Sequence, residues 1–143
     1  MYAKEIKFED YNGNERTETH YFGLSKTELS RLSVSYNGGF DKYLEKLTAE
    51  QDPQKLMEMF EKIILMAYGE KGDDGVSFIK FDDDGRKLSN KFKQTAAYDA
   101  LFMELITDTD AMIKFVTKIL PKDMQQAANE QDIKGQVMKQ IKG

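Results

Sequence analysis

The stretch that decides the fold is residues 4–22, which read KEIKFEDYNGNERTETHYF. Apolar and polar residues alternate on both sides of Asn12-Gly13, and this dipeptide is a strong signal for a two-residue hairpin turn of type I′. We therefore predict a β-hairpin over residues 2–22. A hairpin alone is only marginally stable in water, so it has to pack against further elements of the chain.

The register of the hairpin follows from the predicted turn. A two-residue loop pairs Tyr11 with Asn14 and puts three complementary pairs on one face of the hairpin: Glu9–Arg16, Lys7–Glu18 and Glu5–His20. The opposite face is then expected to lie on the core: Ile6, Phe8, Thr17, Thr19 and Tyr21. In this interpretation His20 with Glu5 is a surface pair rather than an acid–base pair for catalysis.

Helix signals follow at intervals along the rest of the chain. Ser25 and Glu28 have the spacing of a capping box, and Asp52-Pro53 supplies an N-cap followed by a proline in the first turn. Apolar residues recur with helical spacing. The predicted helices begin at Ser25 and fade near Ser33, cover Phe40–Leu47, cover residues 53–68, run from about Thr95 to Ile106, and run from a cap in Thr107–Asp110 to a stop at Pro121.

The helix over residues 53–68 is expected to be the central one. Its apolar residues span an arc of roughly 200°, which a single neighbour cannot cover. Gly69 is expected to end it. Leu65 falls on the opposite, charged side of this helix, and Met103 falls off the apolar face of the helix around 95–106. Exposed apolar residues of this kind are adaptable contacts for other proteins, so Leu65 and Met103 are the candidate partner-binding residues.

Residues 70–91 are predicted to be loop-like, with Val76–Phe81 as a short strand or an anchored loop segment. Two acidic turns, at Asp73–Gly75 and Asp82–Gly85, suggest calcium at first sight. An EF-hand loop aligned on Gly85 would put lysine in its first and twelfth ligand positions, which excludes that motif. We therefore predict no metal site and no cofactor.

The last part of the chain differs in composition. Residues 121–143 contain all of the glutamines after Gln94 and lack aromatic residues, so they are expected to form a partly helical or disordered tail. Residues 1–120 are expected to form a single globular domain. The predicted fold class is α+β and mostly α-helical, with the N-terminal hairpin packed on a bundle of about five helices.

Composition narrows the function. The chain has 143 residues, no cysteine, one histidine and a formal net charge of -4. These values exclude thiolate metal sites and disulfides, argue against an enzyme built on histidine, and disfavour nucleic acid as a partner. We expect no membrane contact, because no apolar run is long enough to cross a bilayer. The lack of export and disulfide signals favours the cytoplasm.

Several phrases of the sequence resemble a known family. They are KEIKFEDYNGNERTE at 4–18, YFGLSKTEL at 21–29, YGEK at 68–71, FIK at 78–80 and AYDALFMELITD at 97–108. Together they resemble the tail assembly chaperones of long-tailed phages and prophages of Gram-positive bacteria. The resemblance covers most of residues 4–121 and includes no catalytic motif.

This resemblance implies a function that composition alone does not give. Such proteins are not enzymes; they coat the helical tape-measure protein in the host cytoplasm until the tail tube polymerises around it. They tend to self-associate, many have a frameshifted longer form that recruits the tail tube protein, and they are absent from the mature virion. The alternative interpretation is a small structural virion component, such as a tail or head–tail joining protein.

Overall fold

The computed structural model describes residues 1–35 and 39–127. Within them, two pairs of strands are each followed by a run of helices, an α+β arrangement as the sequence predicts. The strands are β1 (Tyr2–Glu9), β2 (Glu15–Phe22), β3 (Tyr68–Lys71) and β4 (Phe78–Ile79). The helices are α1 (Lys26–Ser35), α2 (Gly39–Ala49), α3 (Pro53–Ala67), α4 (Ser89–Phe92), α5 (Ala96–Thr107), α6 (Thr109–Lys118) and α7 (Lys122–Ala127).

The four strands form one antiparallel sheet in the order β1-β2-β3-β4. One face of the sheet carries Ile6 and Phe22, which are buried under the helices, and the other face carries exposed residues such as Glu5 and Lys7. The molecule is therefore a sheet covered by helices on one side. Antiparallel sheets of this kind commonly leave one face in water.

The predicted hairpin is present, but its predicted register is wrong by one residue. Glu9 pairs with Glu15 and Glu5 pairs with Thr19, because the loop spans residues 10–14 rather than two residues. Gly13 alone takes a positive φ, of 82°, and Asn12 does not, so the type I′ turn does not form. The side chain of Asp10 instead accepts hydrogen bonds from the backbone N–H groups of Asn12 and Asn14, which closes a longer loop.

This slip moves residues to the opposite face, because side chains alternate along a strand. The predicted core residues Thr17 and Thr19 are exposed on the uncovered face. Glu18, His20 and Phe22 share the covered face with Ile6. The predicted surface pairing of His20 with Glu5 is therefore wrong as well.

The helix signals are confirmed. Ser25 N donates to Glu28 Oε1 over 2.9 Å and Glu28 N donates to Ser25 Oγ over 3.1 Å, so the capping box is formed. Asp52 caps α3 through the N–H of Gln54, and Asp108 caps α6 through the N–H of Ala111. In α2, Tyr43 and Leu47 are buried as predicted; the side chains of Phe40 and Leu44, and the predicted break at Gly38, lie outside the described residues.

The helix α3 is central, as predicted. Ile63, Ile64 and Ala67 have no exposed surface, and α3 contacts α2, α4 and α5. The helix ends at Ala67 rather than at Gly69, because Tyr68 already belongs to the sheet. Residues 68–71, of which 70 and 71 were expected to be loop, form β3, which pairs with β2 and β4. Its sequence, YGEK, has no alternation that would indicate a strand.

The segment after Pro121 starts with a short docked helix. Gln125 Nε2 donates to the carbonyl oxygen of Leu120 over 2.7 Å, and Lys26 of α1 lies 2.8 Å from Asp123 of α7. Residues 128–143, most of the predicted tail, lie outside the described residues. The domain boundary at residue 120 therefore stays a prediction.

Candidate functional site

Aromatic rings form a continuous layer between the sheet and the helices. Phe22 lies at its centre, with ring centroids 5.2 Å from Phe115 and 5.8 Å from Phe92, and the Tyr68 ring stacks on Phe92 at 4.1 Å. His20 is part of this layer, 5.0 Å from Phe92, and its Nε2 lies 3.1 Å from Glu18 Oε1. The histidine thus packs beside an aromatic ring while its imidazole contacts a carboxylate.

A polar contact of three hydrogen bonds surrounds Lys80, a residue that was not predicted from the sequence. Its Nζ donates to Glu28 Oε2 over 2.6 Å, to Gly23 O over 2.7 Å and to Met66 O over 2.8 Å. An ammonium group has three protons, and all three are used here. Burial lowers the pKa of the Lys80 ammonium, and the negative charge of Glu28 partly offsets this effect.

This contact fastens the chain after β3 to the body of the domain. Lys80 follows β4 directly and joins it to α1 through Glu28 and to the end of α3 through Met66. The neighbouring Phe78 ring lies against Gly69, where a Cβ atom would come within 2.8 Å of Phe78 Cζ. The segment from Phe78 to Lys80 therefore has a fixed position on the sheet.

The opposite side of the same segment exposes large apolar side chains. Ile79 is 40% exposed and Phe81 is 56% exposed, and Val76 in the preceding turn is 86% exposed. Ile79 and Phe81 are two residues apart in extended chain, so their side chains point to the same side. We call Ile79 and Phe81 the hairpin patch. Exposed apolar residues that lie side by side in this way indicate a contact surface for another molecule.

Acidic turns border the hairpin patch at both ends. Asp73 and Asp74 precede Val76, and Asp82, Asp83 and Asp84 follow Phe81. Asp74 and Asp82 are engaged locally: each accepts two backbone N–H groups of its own turn through Oδ1. In residues 1–35 and 39–127 no acidic, histidine or cysteine side chains gather into a group of three that could hold a metal ion. The acids are thus an electrostatic border for the apolar residues.

The two residues predicted from the sequence occupy different surroundings. Met103 is 50% exposed, on the side of α5 that also carries the exposed residues Asp99 and Thr107. Leu65 is only partly exposed and packs against the core. One turn before it, Glu61 forms an ion pair of 2.8 Å with Lys93, in the chain between α4 and α5.

The hairpin patch was not predicted from the sequence, although a signal for it exists. An apolar segment between two aspartate-rich glycine turns is typical of consecutive hairpins. Gly75 and Gly85 take φ values of 72° and 79°, which residues with side chains rarely adopt. The positions of these two glycines mark Val76–Phe81 as an extended segment with a turn at each end.

An anchored edge segment with exposed apolar residues is a feature of protein-binding domains. A family model described as phage tail assembly chaperone matches residues 1–142, and the chain belongs to this family. No curated protein and no solved structure matches the chain. In the part of the chain that the structure describes, every helix is too short or too polar to span a membrane.

Proposed function

We propose that this protein is a non-enzymatic chaperone that binds and solubilises the helical tape-measure protein of a phage before the tail tube polymerises. Membership of the tail assembly chaperone family supports this function. The proposal includes self-association, action in the host cytoplasm, absence from the mature virion, and recruitment of the tail tube protein through a frameshifted longer form.

The observation that carries the proposal is the hairpin patch. Ile79 and Phe81 offer apolar contact area on a segment that Lys80 fixes in place, so binding does not require this segment to become ordered first. The bordering aspartates favour partner segments in which lysine or arginine flanks the apolar residues. An amphipathic helix presents its side chains in this arrangement.

A small patch suits a chaperone that has to release its partner. Contacts of this size are individually weak, but a long partner offers many helical segments, and several bound copies hold it with a high combined affinity. Met103 and Leu65 remain part of the proposal as additional contacts. Met103 is accessible in the structure, whereas Leu65 is available only in part.

Co-expression tests the function. A tape-measure fragment that is insoluble by itself is expected to become soluble with this chain and to elute with it in size-exclusion chromatography. A fragment that stays insoluble at every ratio contradicts the chaperone function. Recovery of the chain in purified particles would support the alternative of a structural virion component.

Variants locate the contact surface. Ile79→Ser combined with Phe81→Ser is expected to abolish co-elution, with a melting temperature close to that of the wild type. Tyr11→Ser is the matched control, because Tyr11 is an aromatic residue that is 84% exposed at the tip of the β1–β2 hairpin. Co-elution that survives the double variant but is lost in Met103→Glu or Leu65→Glu would move the surface to the helices.

A further inference from the structure

The edge of the sheet formed by β1 has an unused set of backbone hydrogen-bonding groups. In the described part of the chain, β1 has β2 as its neighbour on one side and no strand on the other. The strand is eight residues long and contains no proline. A long regular edge strand is a template for pairing with another chain.

The hydrogen bonds of the hairpin loop show which residues of β1 turn their backbone N–H and C=O groups away from β2. Asp10 N donates to Asn14 O, so Asp10 turns its backbone groups towards β2. These groups alternate in direction along an antiparallel strand, so the even-numbered residues of β1 bond to β2. The outward N–H and C=O groups therefore belong to the odd-numbered residues: Ala3, Glu5, Lys7 and Glu9.

The bonds on the far side of β2 agree with this assignment. Tyr21 pairs with Gly69, and Gly23 N donates to Ala67 O over 2.7 Å. The odd-numbered residues of β2 thus face β3, and its even-numbered residues face β1. The side chains of Glu5 and Lys7 lie on the uncovered face of the sheet, where their partners within the chain are the neutral Thr19 and Thr17.

Side-chain charge distinguishes the ways in which two β1 strands can pair. Two antiparallel copies have to join outward residues to outward residues. A register that places Glu5 opposite Glu5, or Lys7 opposite Lys7, brings like charges together, which is destabilising. The register with Ile6 opposite Ile6 instead puts Glu5 opposite Lys7 twice, and Ala3 opposite Glu9 twice. A register with Lys7 opposite Glu9 is also complementary in charge, but it overlaps only residues 7–9 of each strand, whereas the register centred on Ile6 overlaps residues 3–9. The register centred on Ile6 therefore combines opposite charges with the longest overlap.

We propose that two copies of this chain associate through their β1 strands, antiparallel and in this register, so that the two sheets become one continuous sheet. The interface is isologous, since the same residues of each copy meet across a two-fold axis. This inference names the surface for the self-association included in the proposed function. It involves no contact with the hairpin patch, which lies on the segment of β4 at the opposite edge of the sheet.

A charge-exchange experiment on the purified full chain tests the register. Glu5→Lys and Lys7→Glu each place like charges opposite each other twice in the dimer. We expect each single variant to weaken dimerisation about tenfold or more, measured by sedimentation equilibrium at low salt. The double variant Glu5→Lys/Lys7→Glu restores opposite charges and is expected to dimerise like the wild type.

Mixing the two single variants gives the most specific result. Each is expected to be mainly monomeric alone, whereas an equimolar mixture should form a heterodimer, because all charges across the axis are then opposite. A wild-type chain that is monomeric at every concentration overturns the proposal. Equal association of all four proteins, with unchanged melting temperatures, overturns it as well. Since no phage partner is present, neither result bears on tape-measure binding.

Discussion

The two edges of the sheet are built differently. The β1 edge is a strand of eight residues with alternating charges, and the β4 edge is a strand of two residues followed by exposed apolar side chains. Each edge is joined to a helix by a lysine–glutamate pair: Lys4 with Glu104 of α5, and Lys80 with Glu28 of α1. In our two proposals, the β1 edge binds a second copy of the chain and the β4 edge binds an apolar partner.

The largest expected difference in stability is between variants of the two lysines. Lys4 and Lys80 are almost equally buried, with 18% and 15% of the side chain exposed, but Lys80 also donates to two backbone carbonyl groups. Lys80→Met keeps the length of the side chain and leaves these acceptors unpaired. We expect it to lower the free energy of unfolding by about 3 kcal/mol.

Lys4→Met is the matched control for that prediction. Glu104 is 40% exposed and is solvated when its partner is removed, so the loss is expected to be about 1 kcal/mol or less. Urea denaturation at neutral pH measures both values. Equal losses for the two variants would show that the carbonyl contacts of Lys80 contribute little to the anchoring of the β4 edge.

The next largest expected difference in stability is between a substitution at Gly69, near the β4 edge, and one at Ala3, on the β1 edge. Gly69→Ala places a methyl group 2.8 Å from Phe78 Cζ and 3.1 Å from the carbonyl oxygen of Ile79. We expect a loss of about 2 kcal/mol in the free energy of unfolding, because the Phe78 ring has to move. At the β1 edge, Ala3→Val on the uncovered face is expected to change the free energy of unfolding by less than about 0.5 kcal/mol.

A double variant shows whether the Phe78 ring is the cause. Phe78→Ala removes the ring and loses its packing, but Gly69→Ala added to it should then cost little. The two losses are expected to be non-additive, because the residues are in contact. Additive losses would assign the cost of Gly69→Ala to the backbone of β4 instead.

Tyr98 extends the aromatic layer, since its ring lies 5.8 Å from Phe92. Its hydroxyl group is expected to make the stability of the protein depend on pH. Burial, followed by the negative charge of Glu61, raises the pKa of Tyr98 to about 12 from an ordinary value of 10.0. Since the unfolded chain loses this proton first, the stabilisation by Tyr98 is complete below pH 10 and is lost as the pH rises towards 12. Tyr98→Phe is expected to cost about 1 kcal/mol at neutral pH.

Denaturation of both proteins over the alkaline range checks this prediction. The difference between the wild type and Tyr98→Phe should shrink between pH 10 and 12, because only the wild type loses the stabilisation from this group. Other tyrosines and lysines titrate equally in both proteins and therefore cancel. A difference that is constant with pH would contradict the burial of the Tyr98 hydroxyl.

The smallest expected effect concerns two loops of the same construction. Asp10 and Asp82 each accept two backbone N–H groups at the tip of a hairpin, but Asp10 also lies 2.6 Å from Arg16 Nε. Hydrogen bonding from the Asn14 N–H, and then from Arg16, lowers the pKa of Asp10. Its stabilisation is present above pH 3.8 and is lost as the pH falls through the lowered pKa.

Asp10→Asn keeps an acceptor oxygen and removes the charge. We therefore expect a small destabilisation at neutral pH that disappears in acid, when the wild-type carboxyl group is protonated too. Thermal melting at pH 7 and at about pH 2 measures it. A destabilisation that persists undiminished in acid would assign the effect to loop geometry rather than to the charge.

The outward residues of β1 and the local helix signals differ in how far they could be predicted. The helix caps at Ser25 and Asp52 were predicted correctly, and so was a cap within Thr107–Asp110, which the structure places at Asp108. Each depends on hydrogen bonds between residues two or three apart. The outward residues of β1 could not be predicted, because they depend on the loop length. Asn12-Gly13 favours a two-residue turn, but the carboxylate of Asp10 stabilises the longer loop, and the competing Asx interaction shifted the register.

The candidate site shows the same limit. Leu65 was selected because it lies on the charged side of α3, and helical spacing alone cannot show that this side chain packs against the core. The hairpin patch was missed because the sequence analysis left Val76–Phe81 open between a strand and a loop. Which of its side chains are exposed depends on Lys80, since the contact of Lys80 with Glu28 determines which side of the segment faces the domain.

The sequence by itself determined the longer helices, their caps, the presence of the first hairpin and the family, because each is encoded within a few neighbouring residues or in matching phrases. It did not determine the short helix at Ser89–Phe92, which was expected to be loop. The tertiary structure alone decided the register of β1 on β2, the strand at Tyr68–Lys71, the burial of Lys80 and the two different edges of the sheet. The physical reason is distance along the chain. Lys80 and Glu28 are separated by 52 positions, so their contact can stabilise the protein only after the rest of the fold has brought them together.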